Sequence, residues 1–464
     1  MRCAVRLLAL PATVALLAAG TTDRLAEVAI ANGHAAAVHF HATGERVVEG
    51  RRERITIDQD GVRRLTRICV ADACVGTWFD GQRLATFGLN DVAMPQDDDA
   101  ATPARRTLAA IESYAFAEPG FRAGGGSADE LAPQVWRVRA VDGATLYAQL
   151  DARTSALIRV AQADGTVIEA FADTVRAGGA AFARSQTGLD DITVDAVTTE
   201  TTTLGAPAGP TATFSGDAAA ALTSDDVPIV DCRVAGVRAR CLLDSGATPS
   251  AIALPLAETL GLEPRGELEI TGFSRFATGF VEPGPLLIGA AHIAGERLAV
   301  IPAVTGARFD VVIGADLLYR LGVVIDRAHR IARIDAPGDE PRAARAALTF
   351  SDGVPEIAAS LDGVRSQALL DTGDASIVSL GYADYRRGPQ WPIVDRSLAS
   401  GVGGAADAFA VTIPGVAFGG ETLGPTRAEV GRTQAGVHVG IGVWSTCTVE
   451  LDESERRFGC VPKP

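Results

Sequence analysis

Val227–Gly246 reads VPIVDCRVAGVRARCLLDSG, and Val354–Gly373 reads VPEIAASLDGVRSQALLDTG. Set 127 positions apart without a gap, they share nine of twenty residues: Val, Pro, Gly, Val, Arg, Leu, Leu, Asp and Gly. A second similarity closes each copy, VVIGADLLYRLGVVID at Val311–Asp326 against VGIGVWSTCTVELD at Val439–Asp452, once two residues are deleted. Each copy therefore reads strand, turn, strand, Asp-Ser/Thr-Gly, a middle section, an apolar pair ending in Gly, and a last strand toward Asp. The chain carries a tandem duplication of about 110 residues.

The leucine pairs Leu242-Leu243 and Leu369-Leu370 plant a strand in a core and bring Asp244 and Asp371 out at its end. Gly246 and Gly373 are expected to turn the chain through φ values that other residues avoid, and the hydroxyls of Ser245 and Thr372 to bond back to the opposing loop. If the two loops meet about a pseudo-twofold axis, their carboxylates come within hydrogen-bonding distance. At about 4 Å and an effective dielectric near 20 the two charges repel by roughly 4 kcal/mol, so the pair keeps one proton. One carboxylate can then act as a base on water while its protonated partner polarises a carbonyl.

LLDSGAT (Leu242–Thr248) and LLDTGDAS (Leu369–Ser376), each followed by an apolar-Gly element (Val312-Ile313-Gly314 and Gly440-Ile441-Gly442), resemble the retropepsin-like aspartic proteases. The resemblance covers residues 225–464 and implies a mainly β, bilobal unit, with lobes at 225–336 and 346–464 on one chain. It implies catalysis by Asp244 and Asp371, with Ser245, Gly246, Thr248, Thr372, Gly373 and Ser376 in support. Ser400, Gly401, Val402, Gly403 and Gly404 look like the flap tip of that family, and Ile270-Thr271-Gly272-Phe273 like its counterpart. The expected substrate is a peptide or protein, the expected form a monomer with an intramolecular dyad, and neither cofactor nor metal is implied. Asp374 and Ala375 depart from Ala247 and Thr248 of the first copy; Asp374 is expected to point to solvent, and Ser376 to take over the role of Thr248.

The remaining sequence sets the context. With 464 residues, 47% hydrophobic and 21% charged, the chain has room for two to four domains. A net charge of −15, from 42 Lys and Arg against 57 Asp and Glu, removes the footing for general nucleic-acid or anionic-membrane binding. Arg2 and Arg6 bracket the start of an apolar run, Leu7 to Ala19, too short to span a bilayer, so residues 1–20 read as a secretory signal peptide and the protein as exported, periplasmic or secreted, without a transmembrane anchor. Apart from Cys3, the cysteines fall into local pairs, Cys69 with Cys74, Cys232 with Cys241 and Cys447 with Cys460, as cross-hairpin disulfide bonds would place them.

Residues 21–192 alternate polar and apolar in short runs and predict a β-rich domain, with one helix across Arg105–Tyr114 and a hairpin turn at Asp151–Thr154. FDGQRLAT (Phe79–Thr86) and LDARTSALIRV (Leu150–Val160) look similar to the α+β half-barrel of periplasmic lipoprotein carriers; the domain's role is left open between delivery, a pro-region and anchoring. Residues 193–224, rich in Thr, Ala, Gly and Pro, read as a linker, and Asp335–Ala347 as a weaker one. His39 and His41 share a strand face with no nearby carboxylate to complete a metal set, and Asp97-Asp98-Asp99 reads as a solvated loop. Two functions follow: an exported aspartic endopeptidase, a peptide hydrolase cutting in a groove between lobes, or a catalytically silent fold that binds an envelope peptide or lipid.

Overall fold

The computed structural model describes residues 24–32, 39–48, 50–97, 102–177, 180–188, 191–200, 203–272, 274–302, 308–338, 346–402, 404–432 and 434–462. Residues 1–20, expected as a signal peptide, lie outside them. The chain is mainly β and divides into two compact units: Met1–Cys69, Gly76–Ala85 and Asp99–Ala206, and then Val70–Val75, Thr86–Asp98 and Pro207–Pro464.

In the first unit the alternating runs form an antiparallel sheet. Its central strands follow the order Arg51–Asp60, His39–Val48, Asp191–Glu200, Ala180–Gly188, Val167–Ala177, Leu157–Ala161 and Thr145–Leu150. Period-2 patterning sorts its faces: Ile55 and Ile57 are buried while Arg52 and Arg54 face solvent. The helix Thr102–Glu112 buries Leu108 and Ile111 in a core shared with Phe116 and Trp136. Asp151 Oδ1 accepts the N–H groups of Arg153 and Thr154 at 3.0 and 2.7 Å, which builds the expected turn. Asp58, on the strand beside His39 and His41, lies 3.1 and 2.8 Å from their ring nitrogens, so a carboxylate does stand near the pair. Cross-strand neighbours are invisible to a scan along the chain.

The second unit holds the duplication. Ile229–Val234 pairs antiparallel with Val237–Leu243, which runs parallel to Val311–Ile313 with Leu243 opposite Ile313; Ala251–Ala253 pairs on the far side of Val311–Ile313. The second copy repeats this with Val354–Leu361, Val364–Asp371, Val437–Gly440 and Val378–Gly381, and Leu370 stands opposite Val439. These registers correct the closing alignment. Val437–Asp452 matches Val311–Asp326 without any deletion, and the counterpart of Gly314 is Gly440, not Gly442. Gly314 and Gly440 both cap a short helix in the same extended conformation, at φ −86° and −92°.

The two copies are joined by a six-stranded sheet in the order Ala219–Ala221, Ile331–Asp335, Gly322–Asp326, Cys447–Asp452, Arg457–Pro462, Ala346–Ala347. At its centre Val323 faces Leu451, Val324 faces Glu450 and Ile325 faces Val449. Since Val324 and Glu450 are themselves counterparts, the pseudo-twofold axis passes through that pair. Leu243, Leu370, Val323 and Leu451 lie in one continuous apolar core.

Much of the expected linker at 193–224 is strand. Asp191–Glu200 pairs with His39–Val48, Thr211–Phe214 with Ala291–Ala294, and Ala219–Ala221 with Ile331–Asp335. Thr211–Phe214 and Ala219–Ala221 are edge strands held by backbone hydrogen bonds, so small side chains suffice and a count of large apolar residues misses them. The weaker linker also ends in strand, where Ala346–Ala347 pairs with Arg457–Pro462. Ala220-Ala221-Leu222-Thr223 and Ala346-Ala347-Leu348-Thr349 are the same four residues, and Leu222 and Leu348 are both buried.

Thr86–Asp98, within the expected 21–192 domain, groups with the second compact unit. There the Asn90 amide donates to Asp316 Oδ2 at 2.7 Å and to the Arg297 carbonyl at 2.9 Å, and its oxygen accepts the Arg297 N–H at 2.7 Å. Asp97 accepts the Phe350 N–H at 3.0 Å and pairs with Arg456, so it is not a solvated loop residue; Asp98 and Asp99 lie outside the described residues. One segment thus bonds to both lobes. Disulfides join Cys232 to Cys241 and Cys447 to Cys460 across hairpins, and Cys69 and Cys74 are disulfide-bonded as well. Among the described residues no helix is long and apolar enough to cross a membrane.

Candidate active site

Asp244 and Asp371 follow the two core strands, and the loops they begin hold each other. Ser245 Oγ donates to the Leu370 carbonyl at 2.5 Å, and Thr372 Oγ1 donates to the Leu243 carbonyl at 2.8 Å. In return Thr372 Oγ1 accepts the Ser245 N–H at 2.9 Å, and Ser245 Oγ accepts the Thr372 N–H at 3.1 Å. Both hydroxyls are buried, at 0% and 2% exposure, so the four bonds form in a water-free setting where leaving one unmade is costly. Residues 127 positions apart are thereby locked across the pseudo-twofold axis.

The glycine shared by the two tripeptides has a different cause from the one expected. Neither Gly246 nor Gly373 has positive φ. A Cβ on Gly246 would stand 2.5 Å from Asp371 Cγ, and one on Gly373 would stand 2.5 Å from Asp244 Cγ. Each glycine makes room for the other loop's carboxyl group. Asp244 Oδ1 accepts the Gly246 N–H at 3.1 Å, and Asp371 Oδ1 accepts those of Gly373 and Asp374 at 3.0 and 3.1 Å. The two carboxyl groups are set toward each other across the axis, each filling the space that a Cβ on the other loop's glycine would need, and a shared proton relieves the repulsion of such a pair. Burial, then the charge and hydrogen bond of Asp371, push Asp244 well above the usual carboxylate range, against the opposing N–H groups of Gly246 and Ala247.

Residues 230–317, within the first lobe, match the family model described as "Aspartyl protease". The matched segment carries Asp244, Ser245 and Gly246 and ends just beyond the Gly314 element of the first lobe. Among solved structures, a retropepsin-like aspartic protease from Rickettsia conorii aligns with 25% of this chain and 86% of its own, at 18% identity and a TM-score of 0.20. No curated protein matches the chain.

Around the paired aspartates, the expected supporting residues divide. Thr248 is exposed, and Ser376 Oγ is buried without a hydrogen-bond partner, so neither hydroxyl joins the dyad's bonds. Asp374 does not simply face solvent: its Oδ1 accepts the Ser376 N–H at 2.8 Å and its Oδ2 the Ser379 hydroxyl at 2.6 Å, with Gln434 donating to Ser379 at 2.7 Å. His438, which sequence reasoning missed, sets Nδ1 3.4 Å from Asp371 Oδ2. Asp371, Asp374 and His438 bring ligand-type atoms within 4.8 Å of one another. Their pairing and hydrogen bonds satisfy the cluster as it stands, and no metal is assigned to it.

Asp316 was also missed. Buried at 1% exposure, it accepts from Ser250 N–H and Oγ at 3.0 and 2.5 Å and from Asn90, while Ser250 Oγ accepts the Gly314 N–H at 2.8 Å. It ties the glycine element to the loop beyond Asp244.

Gly401 and Gly404 pair at the tip of the hairpin Ile393–Gly401 and Gly404–Ile413, with Val402 between them; Gly403 lies outside the described residues. A second hairpin, Arg265–Thr271 with Arg275–Val281, ends at Gly272, where a Cβ would stand 2.3 Å from the Val402 carbonyl oxygen; Phe273 lies outside the described residues. The tips touch. Val402, Ile270, Phe276 and Ala247 all pack against one apolar cluster that includes Val312 and Leu242, the latter lying two residues before Asp244.

Proposed function

We propose that the chain is an exported aspartic endopeptidase in which Asp244 and Asp371 share one proton and activate a water molecule against a peptide bond. The observation that carries this reading is the pair of carboxyl groups, each lodged against the other loop's glycine and held by two loops that exchange hydroxyl bonds across a pseudo-twofold axis. The ionised carboxyl takes a proton from water, and the protonated one gives its proton to the carbonyl oxygen. Both carboxyl groups come from one chain, so activity needs no second copy. The hairpin tips around Val402 and Gly272 close on an extended peptide, and the apolar residues beside them favour apolar side chains next to the scissile bond. Cys232–Cys241 and Cys447–Cys460 suit an oxidising compartment, in agreement with the leader-like first residues.

The test is a mixed peptide library incubated with the full chain from pH 3 to 7, beside Asp244→Ala and Asp371→Ala. Cleavage that vanishes in both variants and does not depend on protein concentration is expected. Binding of peptides without any cleavage would instead identify a silent fold.

A further inference from the structure

We propose that His438 fixes the dyad's proton on Asp244 and keeps Asp371 as the carboxylate that receives a proton from water, a role that rests on the endopeptidase reading above. His438 occupies the place of Val312 in the first lobe, and Asp374 the place of Ala247. The two halves of the site therefore share a backbone and differ in charge. Asp244 has apolar counterparts around it, whereas Asp371 faces an imidazole.

The tautomer follows from the hydrogen bonds. His438 Nε2 lies 3.1 Å from the Ala435 carbonyl oxygen, which can only accept, so Nε2 carries a hydrogen. Nδ1 then meets Asp371 Oδ2 at 3.4 Å as the N–H of an imidazolium, as an acceptor from a protonated Asp371, or as a bare lone pair against a carboxylate oxygen. The last is repulsive, the second leaves the proton on the ordinarily weaker base, and the first is an ion pair between groups only 19% and 20% exposed. The groups facing His438 favour the cation. Asp371 comes from the neighbouring parallel strand, Asp374 from the loop after it, and Ser379, opposite His438 in the antiparallel register, donates to Asp374 rather than to the ring. Glu429, on the strand beyond, adds a carboxyl group near Asp374. Burial opposes the imidazolium, but the hydrogen bond and charge of Asp371, the charge of Asp374 and the Ala435 carbonyl outweigh it, and His438 is held above the ordinary imidazole value.

The proton balance is then directional. Water oxygen bonds to the peptide carbon, its proton goes to Asp371, and the proton of Asp244 goes to the carbonyl oxygen. On collapse Asp371 protonates the amide nitrogen, the C–N bond breaks, a diol hydroxyl returns its proton to Asp244, and the dyad is restored with acid and amine released. His438 touches none of the reacting atoms; it is a positioning residue for charge.

His438→Val installs the first-lobe residue, and His438→Gln keeps a hydrogen bond without the charge. In both, the acid limb of the kcat/KM profile is expected to move up by about 1 to 3 pH units, because an opposite charge holds a carboxyl pair ionised to that extent. An unmoved limb in both folded variants overturns the proposal. A second readout needs no cleavage: carboxyl ¹³C signals of the aspartates are titrated in the full chain. The earliest-ionising signal of the dyad should disappear in Asp371→Asn, persist in Asp244→Asn and move to higher pH in His438→Gln; its disappearance in Asp244→Asn instead overturns the assignment. Absence of peptide cleavage with this titration intact would count against the endopeptidase reading alone.

Discussion

At Gly246 a single methyl group decides whether two carboxyl groups can meet. Gly246→Ala places a carbon 2.5 Å from Asp371 Cγ, so either the carboxyl or the loop must shift. A displacement near 1 Å costs about a hundredfold in rate, and kcat/KM for a cleaved peptide should fall at least that far while the circular dichroism spectrum is unchanged. Ser245→Ala acts on stability instead. It leaves the Leu370 carbonyl and the Thr372 N–H without partners in a buried place, at about 1–3 kcal/mol for each, read from urea unfolding. Combined with Thr372→Ala the losses should not add, since each hydroxyl serves the other's loop; a double-mutant coupling below about 0.5 kcal/mol would contradict the interlocked arrangement. Asp244, Asp371, Ser245 and Thr372 were legible because the motif occurs twice. His438 was not, because a two-residue gap in the closing alignment hid that it replaces Val312. Asp316 was not either, since nothing along the chain distinguishes a buried carboxylate from a surface one.

Short edge strands were the elements hardest to read. The doubled core strands announced themselves through leucine pairs and alternation, whereas Ala219–Ala221 and Ala346–Ala347 have no side chains that speak for a sheet. Their shared Ala-Ala-Leu-Thr would have extended the repeat upstream had it been compared. The segment Thr86–Asp98 is a stronger case: no periodicity ties it to the duplicated unit, and its anchoring rests on polar side chains, Asn90 at one lobe and Asp97 at the other. Asn90→Ala orphans the Arg297 N–H and removes a donor from buried Asp316, so the urea midpoint should drop by the equivalent of about 1–3 kcal/mol at unchanged slope. The same geometry bears on a pro-region reading. Cutting between residues 201 and 210 leaves Thr86–Asp98 bonded to both lobes, so a nick there should not release a free Pro207–Pro464 fragment on gel filtration without denaturant.

For the whole molecule, the buried acids set where the fold is most stable. Burial pushes Glu296 up to about 7 and raises Asp316 against its hydrogen bonds; burial, with Asp316 and Asp452 nearby, holds Glu453 well above the usual range, and Asp244 is raised by burial and by Asp371. Both oxygens of Glu296 and of Glu453 lack hydrogen-bond partners, as suits protonated groups with nothing to stabilise a charge. For each, the unfolded chain ionises near pH 4 to 4.5 while the folded chain keeps its proton. The folded state therefore binds more protons above that point, and stability falls as pH rises toward the folded values, through the window from 4.5 to about 7 for Glu296. His438, also raised, adds in the same sense: its contribution is complete below its ordinary value and is lost as pH climbs past the raised one. Asp151, lowered by its hydrogen bonds, and Asp326, which burial raises but the bonds and charge of His329 lower on balance, work oppositely, but only as pH falls below about 4. Stability should consequently peak near pH 4 to 5 and decline toward pH 8. Glu453→Gln, an isostere that cannot ionise, should flatten that decline and gain about 1–3 kcal/mol at pH 8 with little change at pH 4, measured by urea unfolding across the range. A wild-type curve that rises from pH 5 to 8 would mean these acids are ionised in the folded chain. If the decline is found, the fold is firmest in the acid range, where burial and the neighbouring Asp371 keep the proton on Asp244.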